Sequence, residues 1–227
     1  MTTVLLVRHG LTALTGPVLA GWLPGIHLDD RGSVQAAALG ERLAPVPLTA
    51  LVTSPLERCQ ETAAALAAGR PGLAVHTDER VGECRYGEWT GQELTHLAKH
   101  PLWRVVQAHP SAAVFPGGEA LRDTQGRAVA AIRDWNARLG PDATYVVVSH
   151  GDVIKAVLAD ALGLHLDLFQ RIQVDPASLS AVRYTDLRPF VLRVNDTGGS
   201  VAGLLAARRR RSRRRSADAP VGGGAGP

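Results

Sequence analysis

"TVLLVRHG", residues 3–10, combines a short apolar run with three residues that suit a binding site. The run from Val4 to Val7 is β-branched or aliphatic and has no helical period, which predicts a buried strand. Arginine, histidine and glycine follow at the point where that strand should end. "YVVVSHG", residues 145–151, repeats the arrangement, with serine, histidine and glycine after a second apolar run. Two predicted strands therefore end in a histidine and a glycine.

Further apolar runs alternate with helical segments along the chain. A run at residues 50–54 predicts another strand, and Pro55 suits the first turn of a helix that covers about residues 56–68. This alternation indicates an α/β domain with a mostly parallel sheet. The other predicted elements are a helix capped by Asp29 or Asp30 that runs to about Leu43, a short strand near residues 74–77, irregular structure or short helices over residues 84–117, a long amphipathic helix within residues 117–140, a helix over residues 152–163 that ends at Gly163, and two late strands within residues 178–195.

Length and composition favour one globular domain. The chain has 227 residues, of which 45% are hydrophobic and 20% are charged, so a single sizeable core is expected. Its apolar runs are far shorter than the roughly 20 residues that cross a bilayer, and no hydrophobic leader precedes the first strand. We therefore expect a cytoplasmic protein without a membrane partner. Its two cysteines predict neither a disulfide framework nor a metal finger.

The charge of the chain is divided unevenly. Residues 198–227 contain seven arginines and one acidic residue, a net charge of +6, whereas residues 1–197 carry a net charge of −2. We therefore predict a folded domain over residues 1–197 and a disordered tail over residues 198–227. Two interpretations of the tail stay open: a solvated extension without a task, or a weak, salt-sensitive contact with nucleic acid or another polyanion.

Basic side chains cluster at the predicted ends of the strands, where open α/β sheets bind their ligands. His9 and His150 each lie one step past such an end, and Arg8 flanks His9. Arg58 follows the strand at residues 50–54 by one helical turn. If the strands are neighbours, these four side chains meet in one crevice, where they would repel one another unless they surrounded a doubly negative ligand. The constellation therefore predicts a phosphate monoester as the ligand.

Five segments carry these residues and their surroundings: "LLVRHGLT" (residues 5–12), "SPLERCQET" (54–62), "ECRYGEWTG" (83–91), "FPGGEAL" (115–121) and "VVSHGDVI" (147–154). In this order they resemble the histidine phosphatase superfamily, in the branch that contains cofactor-dependent phosphoglycerate mutase. Within that branch the chain is similar to small actinobacterial proteins described as phosphomutases or phosphatases. The resemblance covers about residues 1–195 and implies a phosphoglycerate mutase-like three-layer α/β/α sandwich with a mostly parallel central sheet.

The resemblance implies a role for each residue of the site. His9 would be the nucleophile that forms a phosphohistidine, and Glu83 would be the general acid that protonates the leaving oxygen. Positive side chains would neutralise the charge of the phosphoryl group, so neither a metal nor a cofactor is expected. The residues that would hold the phosphoryl oxygens and supply this charge are Arg8, Arg58 and His150.

Three assignments leave alternatives open. Thr15 stands where the family often has an asparagine that helps to bind phosphate, so either its hydroxyl or nearby backbone N–H groups would make that contact. Glu119 matches the family's Gly-Gly-Glu, although a carboxylate near the start of a helix is also favoured by the helix dipole. Glu83 is assigned as the acid by its match to the motif, ahead of three nearby glutamates, which are Glu79, Glu88 and Glu93.

A phosphatase that acts on a small phosphorylated metabolite is the favoured function. The long basic insert of glycolytic phosphoglycerate mutases is not apparent, and three aromatic residues would instead frame the pocket mouth. A phosphomutase and a phospholigand-binding protein without turnover are the alternatives. Neither the substrate nor the oligomeric state is predicted. The three aromatic residues are Trp89, Trp103 and Phe115.

The two cysteines, Cys59 and Cys84, are expected to be small buried packing residues.

Overall fold

One six-stranded sheet forms the centre of the protein in the computed structural model, which describes residues 1–198. Its strands are β1 (Thr2–Arg8), β2 (Ala50–Thr53), β3 (Val75–Thr77), β4 (Thr144–Ser149), β5 (Leu179–Tyr184) and β6 (Pro189–Asp196). They lie in the order β3-β2-β4-β1-β5-β6, and the first four of these are mutually parallel. The late strand β5 runs antiparallel to both β1 and β6. The predicted mostly parallel sheet is confirmed.

Helices connect the strands. The α-helices are α1 (Asp30–Leu43), α2 (Glu57–Ala67), α3 (Leu94–Leu97), α4 (Pro101–Ala108), α5 (Leu121–Leu139) and α6 (Gly151–Leu162). Short 3-10 helices cover Glu79–Val81, Gly87–Trp89, Pro110–Ala112 and Leu166–Arg171. The predicted irregular segment therefore contains α3, α4 and two 3-10 turns.

The two faces of the sheet bury separate sets of side chains. Along β1, Leu5 and Val7 pack with residues of α1 and α2, whereas Val4 and Leu6 pack with residues of α5 and α6. Successive side chains of a strand point to opposite faces, which explains the alternation. β1 is apolar throughout because helices cover both faces. The predicted three-layer α/β/α sandwich is confirmed.

The helix ends match the sequence patterns except at α2. Asp29 is the N-cap of α1, and its Oδ1 accepts the N–H of the third helical residue at 2.7 Å. Gly163 ends α6 in the left-handed conformation, with φ of 67°. Pro55 lies before α2 and not in its first turn, which corrects the prediction. The reason is that Leu56, with ψ of 139°, is extended and forms the N-cap, and Ser54 Oγ accepts its N–H at 3.3 Å.

The predicted tail lies outside the described residues, apart from Gly198. The domain boundary at residue 197 and both interpretations of the arginine cluster therefore stay predictions. Within residues 1–198, no helix combines the length and the apolar character needed to cross a membrane.

Candidate active site

The carboxyl ends of β1 and β4 bring the two histidines together. The strands are adjacent, and Arg8 pairs with Ser149 in the register, so His9 and His150 leave the sheet side by side. Their ring centroids lie 5.2 Å apart. Arg58, in the first turn of α2, reaches between them, with Nε 3.3 Å from His9 Nε2 and Nη2 3.3 Å from His150 Nδ1. The four side chains that the sequence predicted to converge form one buried cluster.

His9 is oriented with a nitrogen lone pair toward Arg58. Its Nδ1 lies 2.7 Å from the Gly10 carbonyl oxygen, which can only accept, so Nδ1 carries the proton and Nε2 is free to act as a nucleophile. Burial lowers the pKa of His9 well below 6.5, and the charges of Arg58 and Arg8 lower it further. Gly10 permits this close turn because a Cβ there would lie 2.6 Å from the Gly32 carbonyl oxygen.

The surroundings of His150 disfavour its protonated form. Burial lowers its pKa well below 6.5, followed by the charge of Arg58. Its Nδ1 faces a guanidinium N–H of Arg58, so Nδ1 accepts and Nε2–H donates to Ser54 Oγ at 2.8 Å. Desolvation beside Arg58 favours the neutral form of this imidazole, whereas Arg8 and Arg58 carry guanidinium charges. A positive charge on His150 toward a bound phosphoryl group stays a prediction.

A bound dianion should reverse this effect, because it favours the protonated forms of the groups around it. We therefore expect sulfate binding near pH 7 to take up protons from the buffer, since sulfate itself has no proton to exchange there. His150→Gln and Glu83→Gln should each reduce the uptake. Titration calorimetry in two buffers with different ionisation enthalpies measures it. A binding heat that does not depend on the buffer would contradict the expected titration.

Both arginines are almost fully buried, at 2% exposure. Arg8 Nη1 donates to the Val174 carbonyl oxygen at 2.8 Å, and Arg58 Nη2 donates to the Gly21 carbonyl oxygen at 2.8 Å. Arg58 Nη1 is buried and has no hydrogen-bond partner in the part of the chain that the structure describes. A buried guanidinium N–H without an acceptor is unfavourable. An anion with several oxygens beside Arg58 would satisfy it.

Glu83 faces this cluster as a buried carboxyl group. Its Oε2 lies 3.9 Å from His150 Nδ1, and its Oε1 accepts the N–H of Cys84 at 2.9 Å. Burial, and then the negative charge of Asp152, raise the pKa of Glu83 to about 7. The carboxyl group can therefore hold a transferable proton near neutral pH. Glu83 lines the pocket, whereas none of the three nearby glutamates does.

Asp152 was not singled out from the sequence. Its Oδ2 accepts the Tyr86 hydroxyl at 3.0 Å, and its Oδ1 lies 3.6 Å from Lys155 Nζ. All of these groups are buried. The sequence signal that could have pointed to Asp152 is its position directly after His150-Gly151. This position lies in the first turn of α6, next to the cluster.

Arg127 holds the backbone that presents Glu83, and no sequence pattern pointed to it. Its Nη2 donates to the Glu83 carbonyl oxygen at 2.9 Å, and its Nη1 donates to the carbonyl oxygens of Arg80 and Gly82 at 2.7 and 2.9 Å. Glu119 accepts from Arg127 Nε at 3.0 Å. The carboxylate of Glu119, whose role the sequence left open, thus anchors the arginine that fixes the segment carrying Glu83.

Arg127 is therefore expected to act as a positioning residue. Arg127→Gln should lower kcat for alkyl phosphates by about ten- to hundredfold, because a small misplacement of a catalytic group is costly. The loss should be smaller for p-nitrophenyl phosphate, whose leaving group needs no proton, and a merely structural defect would affect both substrates alike. Arg133→Gln, an exposed change on the same helix, is the matched control. Equal losses for the two substrates would contradict the assignment.

The pocket lies over this cluster. Arg8, His9, Arg58 and Glu83 form its floor, and its wall consists of several residues between Thr12 and Gly21 together with Leu94. His150 is fully buried beside Arg58 and is not among the residues that line the pocket, so its contact with a phosphoryl group stays a prediction.

The three aromatic residues do not frame the mouth, which corrects that expectation. Trp89, Trp103 and Phe115 are at most 9% exposed and belong to the core that contains α5 and α6. Trp89 packs against both of the others, at ring-centroid distances of 6.2 Å and 5.3 Å. Large aromatic side chains gain more from burial in the core than from a place at a wet rim.

Thr15 lies in the pocket wall, and its hydroxyl is already engaged. Its Oγ1 accepts the backbone N–H of Thr12 at 3.0 Å and lies 2.9 Å from Thr12 Oγ1. A contact from Thr15 to phosphate stays a prediction. Both cysteines are fully buried, as expected, and burial raises the pKa of the Cys59 thiol to about 12. Such a thiol is unreactive at neutral pH.

Comparisons with known proteins agree with this geometry. The family model of the histidine phosphatase superfamily (branch 1) matches residues 4–197. Glucosyl-3-phosphoglycerate phosphatase of Mycolicibacterium vanbaalenii is 34% identical over 72% of this chain and 76% of its own. Phosphoserine phosphatase 1 of Hydrogenobacter thermophilus is 29% identical over 87% and 93%.

A solved structure shows the same fold. The structure of YhfR from Bacillus stearothermophilus superposes with a TM-score of 0.78 at 27% identity, over 86% of this chain and 98% of that one. Fold, family match and relatives agree with one another. The resemblance that the sequence motifs indicated is confirmed: this chain belongs to the histidine phosphatase superfamily, branch 1.

Proposed function

We propose that this protein is a phosphatase that hydrolyses a small phosphorylated metabolite through a phosphohistidine on His9. The observation that carries the proposal is one pocket lined by a buried imidazole, two buried guanidinium groups and a buried carboxyl group, with His9 Nε2 facing Arg58 Nε at 3.3 Å. The guanidinium groups bind and neutralise a phosphoryl group, the imidazole attacks it, and the carboxyl group exchanges the proton. The class, phosphoric monoester hydrolase, agrees with the names of both relatives.

The first step transfers the phosphoryl group to His9. Nε2 of the neutral imidazole forms a bond to phosphorus while the bond between phosphorus and the ester oxygen breaks. Glu83 gives its proton to that oxygen, so the alcohol leaves uncharged and the carboxylate remains. Arg8, Arg58 and the newly protonated His150 hold the phosphoryl oxygens, where negative charge is spread in the transition state.

The second step releases phosphate. The Glu83 carboxylate takes a proton from a water molecule while the water oxygen bonds to phosphorus. The bond between phosphorus and Nε2 breaks, so His9 returns to its neutral form and Glu83 is protonated again. Two half-reactions replace one difficult displacement, and the same carboxyl group serves first as acid and then as base.

Hydrolysis is favoured over mutase chemistry by the charge of the pocket. A phosphomutase of the phosphoglycerate mutase type must hold substrates that carry several anionic groups. Within residues 1–198, Arg8 and Arg58 are the only cationic side chains that line the pocket, and one phosphoryl group would engage both. A mutase would differ in needing a bisphosphate primer and in keeping a long-lived phosphoenzyme.

The test is a screen of phosphorylated metabolites for released phosphate, in a buffer that contains EDTA. We expect turnover without a primer and without added metal, because the arginines supply the positive charge. Phosphate release that requires a bisphosphate primer would favour the mutase. Binding of phosphate esters with no release from any of them would leave only the phospholigand-binding alternative.

A further inference from the structure

The entrance of the pocket is lined by aliphatic side chains. Leu14, Val18, Leu19, Ala20 and Leu94, called the apolar rim below, line the same pocket as the phosphate-binding floor. Leu19 is buried, and the other four are partly exposed. An alcohol attached to a phosphoryl group on the floor would contact these side chains.

Backbone hydrogen bonds fix the rim in place. Leu19 N–H donates to the Gln92 carbonyl oxygen at 2.9 Å, and Leu19 accepts the Gly91 N–H at 2.8 Å. Leu94 N–H donates to the Pro17 carbonyl oxygen at 2.9 Å. The two segments that form the rim are thus paired with each other, which fixes the backbone positions from which Leu19 and Leu94 extend.

Among the described residues, the rim offers no counter-charge for a second anionic group. The two cations of residues 1–198 that line the pocket are the buried arginines of the floor. Glu93, whose backbone forms a β-bridge with Val18, is an exposed acidic residue. Lys99 follows Leu94 by five residues but is not among the residues that line the pocket.

From this arrangement, and resting on the proposed function, we propose a substrate class. The substrate is a phosphate monoester of an uncharged alcohol with an apolar portion next to the ester oxygen. A carboxylate or a second phosphate at that position would lose its hydration against aliphatic side chains without gaining a partner, which is unfavourable. Methyl and methylene groups at the same position are stabilised by burial. The rim residues are the specificity-determining residues of the site.

Two isosteric esters test the proposal directly. 3-Methylbutyl phosphate and 3-phosphooxypropanoate have the same shape, but two methyl groups in the first are replaced by carboxylate oxygens in the second. We expect kcat/KM of the wild-type protein to be at least about tenfold higher for the methyl compound, the usual scale of discrimination in an apolar pocket. p-Nitrophenyl phosphate serves as the reference substrate that reports an intact site.

A charge introduced into the rim should change this preference. Leu94→Arg places a cation where the carboxylate would lie, and it should shift the kcat/KM ratio of the two esters toward 3-phosphooxypropanoate by at least about tenfold. Leu187→Arg adds the same charge at an 86% exposed turn and should leave the ratio unchanged. Lys99→Ala should also leave it unchanged, because Lys99 does not line the pocket.

The outcomes separate this proposal from the proposed function. If no ester is hydrolysed, not even p-nitrophenyl phosphate, the proposed function fails and the substrate class falls with it. Other results would overturn only the substrate class, provided that p-nitrophenyl phosphate is hydrolysed. These results are equal kcat/KM values for the two esters, a higher kcat/KM for 3-phosphooxypropanoate, or no reaction with either ester. A ratio that does not respond to Leu94→Arg would overturn the role of the rim.

Discussion

His9→Ala should abolish phosphate release, with a fall in kcat of at least about 10⁴-fold, the scale seen when a covalent nucleophile is removed. The reason is geometric as well as chemical. Nε2 of His9 faces the guanidinium group that would hold the phosphoryl group, and the low pKa of the imidazole keeps that nitrogen unprotonated. Alanine leaves the arginines in place but offers no atom to receive phosphorus. Steady-state phosphate release from a good ester measures the effect.

His96→Ala is the matched control, because His96 is an exposed histidine on α3. It should retain wild-type turnover. Sulfate binding by the His9→Ala protein shows that the site still folds around the two arginines. A His9→Ala protein that binds sulfate and still turns over within a hundredfold of the wild type would show that the reaction does not pass through His9.

Glu83→Gln should lower kcat for alkyl phosphates by about 10²- to 10⁴-fold, the usual contribution of general acid–base catalysis. Glutamine keeps the shape of the side chain and the contact with the Cys84 N–H, but it has no transferable proton. p-Nitrophenolate leaves without protonation, so the first step should proceed with p-nitrophenyl phosphate. The second step lacks its base, and a burst of nitrophenolate followed by slow turnover is expected in stopped-flow traces.

The pH profile provides a second readout for Glu83. Its raised pKa of about 7 means that the proton is present below this pH and is lost as the pH rises through it. kcat/KM of the wild type for alkyl phosphates should therefore fall above about pH 7. The Glu83→Gln protein should lack that alkaline limb. Glu79→Gln and Glu88→Gln should keep both the wild-type kcat and the fall of kcat/KM above about pH 7. If either of these variants loses turnover while Glu83→Gln turns over normally, that glutamate and not Glu83 is the general acid.

The elements that place the site could be predicted because their signals are local. The apolar run before Arg8 and the run before His150 each predict a strand, and parallel strands end at the same edge of a sheet. The cap at Asp29 and the stop at Gly163 follow from short-range hydrogen bonding and from the conformational freedom of glycine. Neighbouring positions of β1 and β4 in the sheet then sufficed to bring the two histidines together.

The parts that could not be predicted depend on distant contacts. Arg127 lies in the middle of α5, and only the folded structure shows that it reaches the carbonyl oxygen of Glu83. The burial of Trp89 depends on packing between segments whose order in space the sequence does not reveal. The lowered pKa of His150 follows from burial and from the charge of Arg58, which are properties of the assembled site.

The most direct test of the central claim is the identification of the phosphorylated residue. The Glu83→Gln protein is mixed with p-nitrophenyl phosphate, quenched in base to preserve an acid-labile phosphohistidine, digested, and analysed by mass spectrometry. The proposed mechanism predicts one phosphoryl group on the peptide that contains His9, formed as fast as the nitrophenolate burst. A burst without a phosphopeptide, or a phosphoryl group on any other residue, would contradict it.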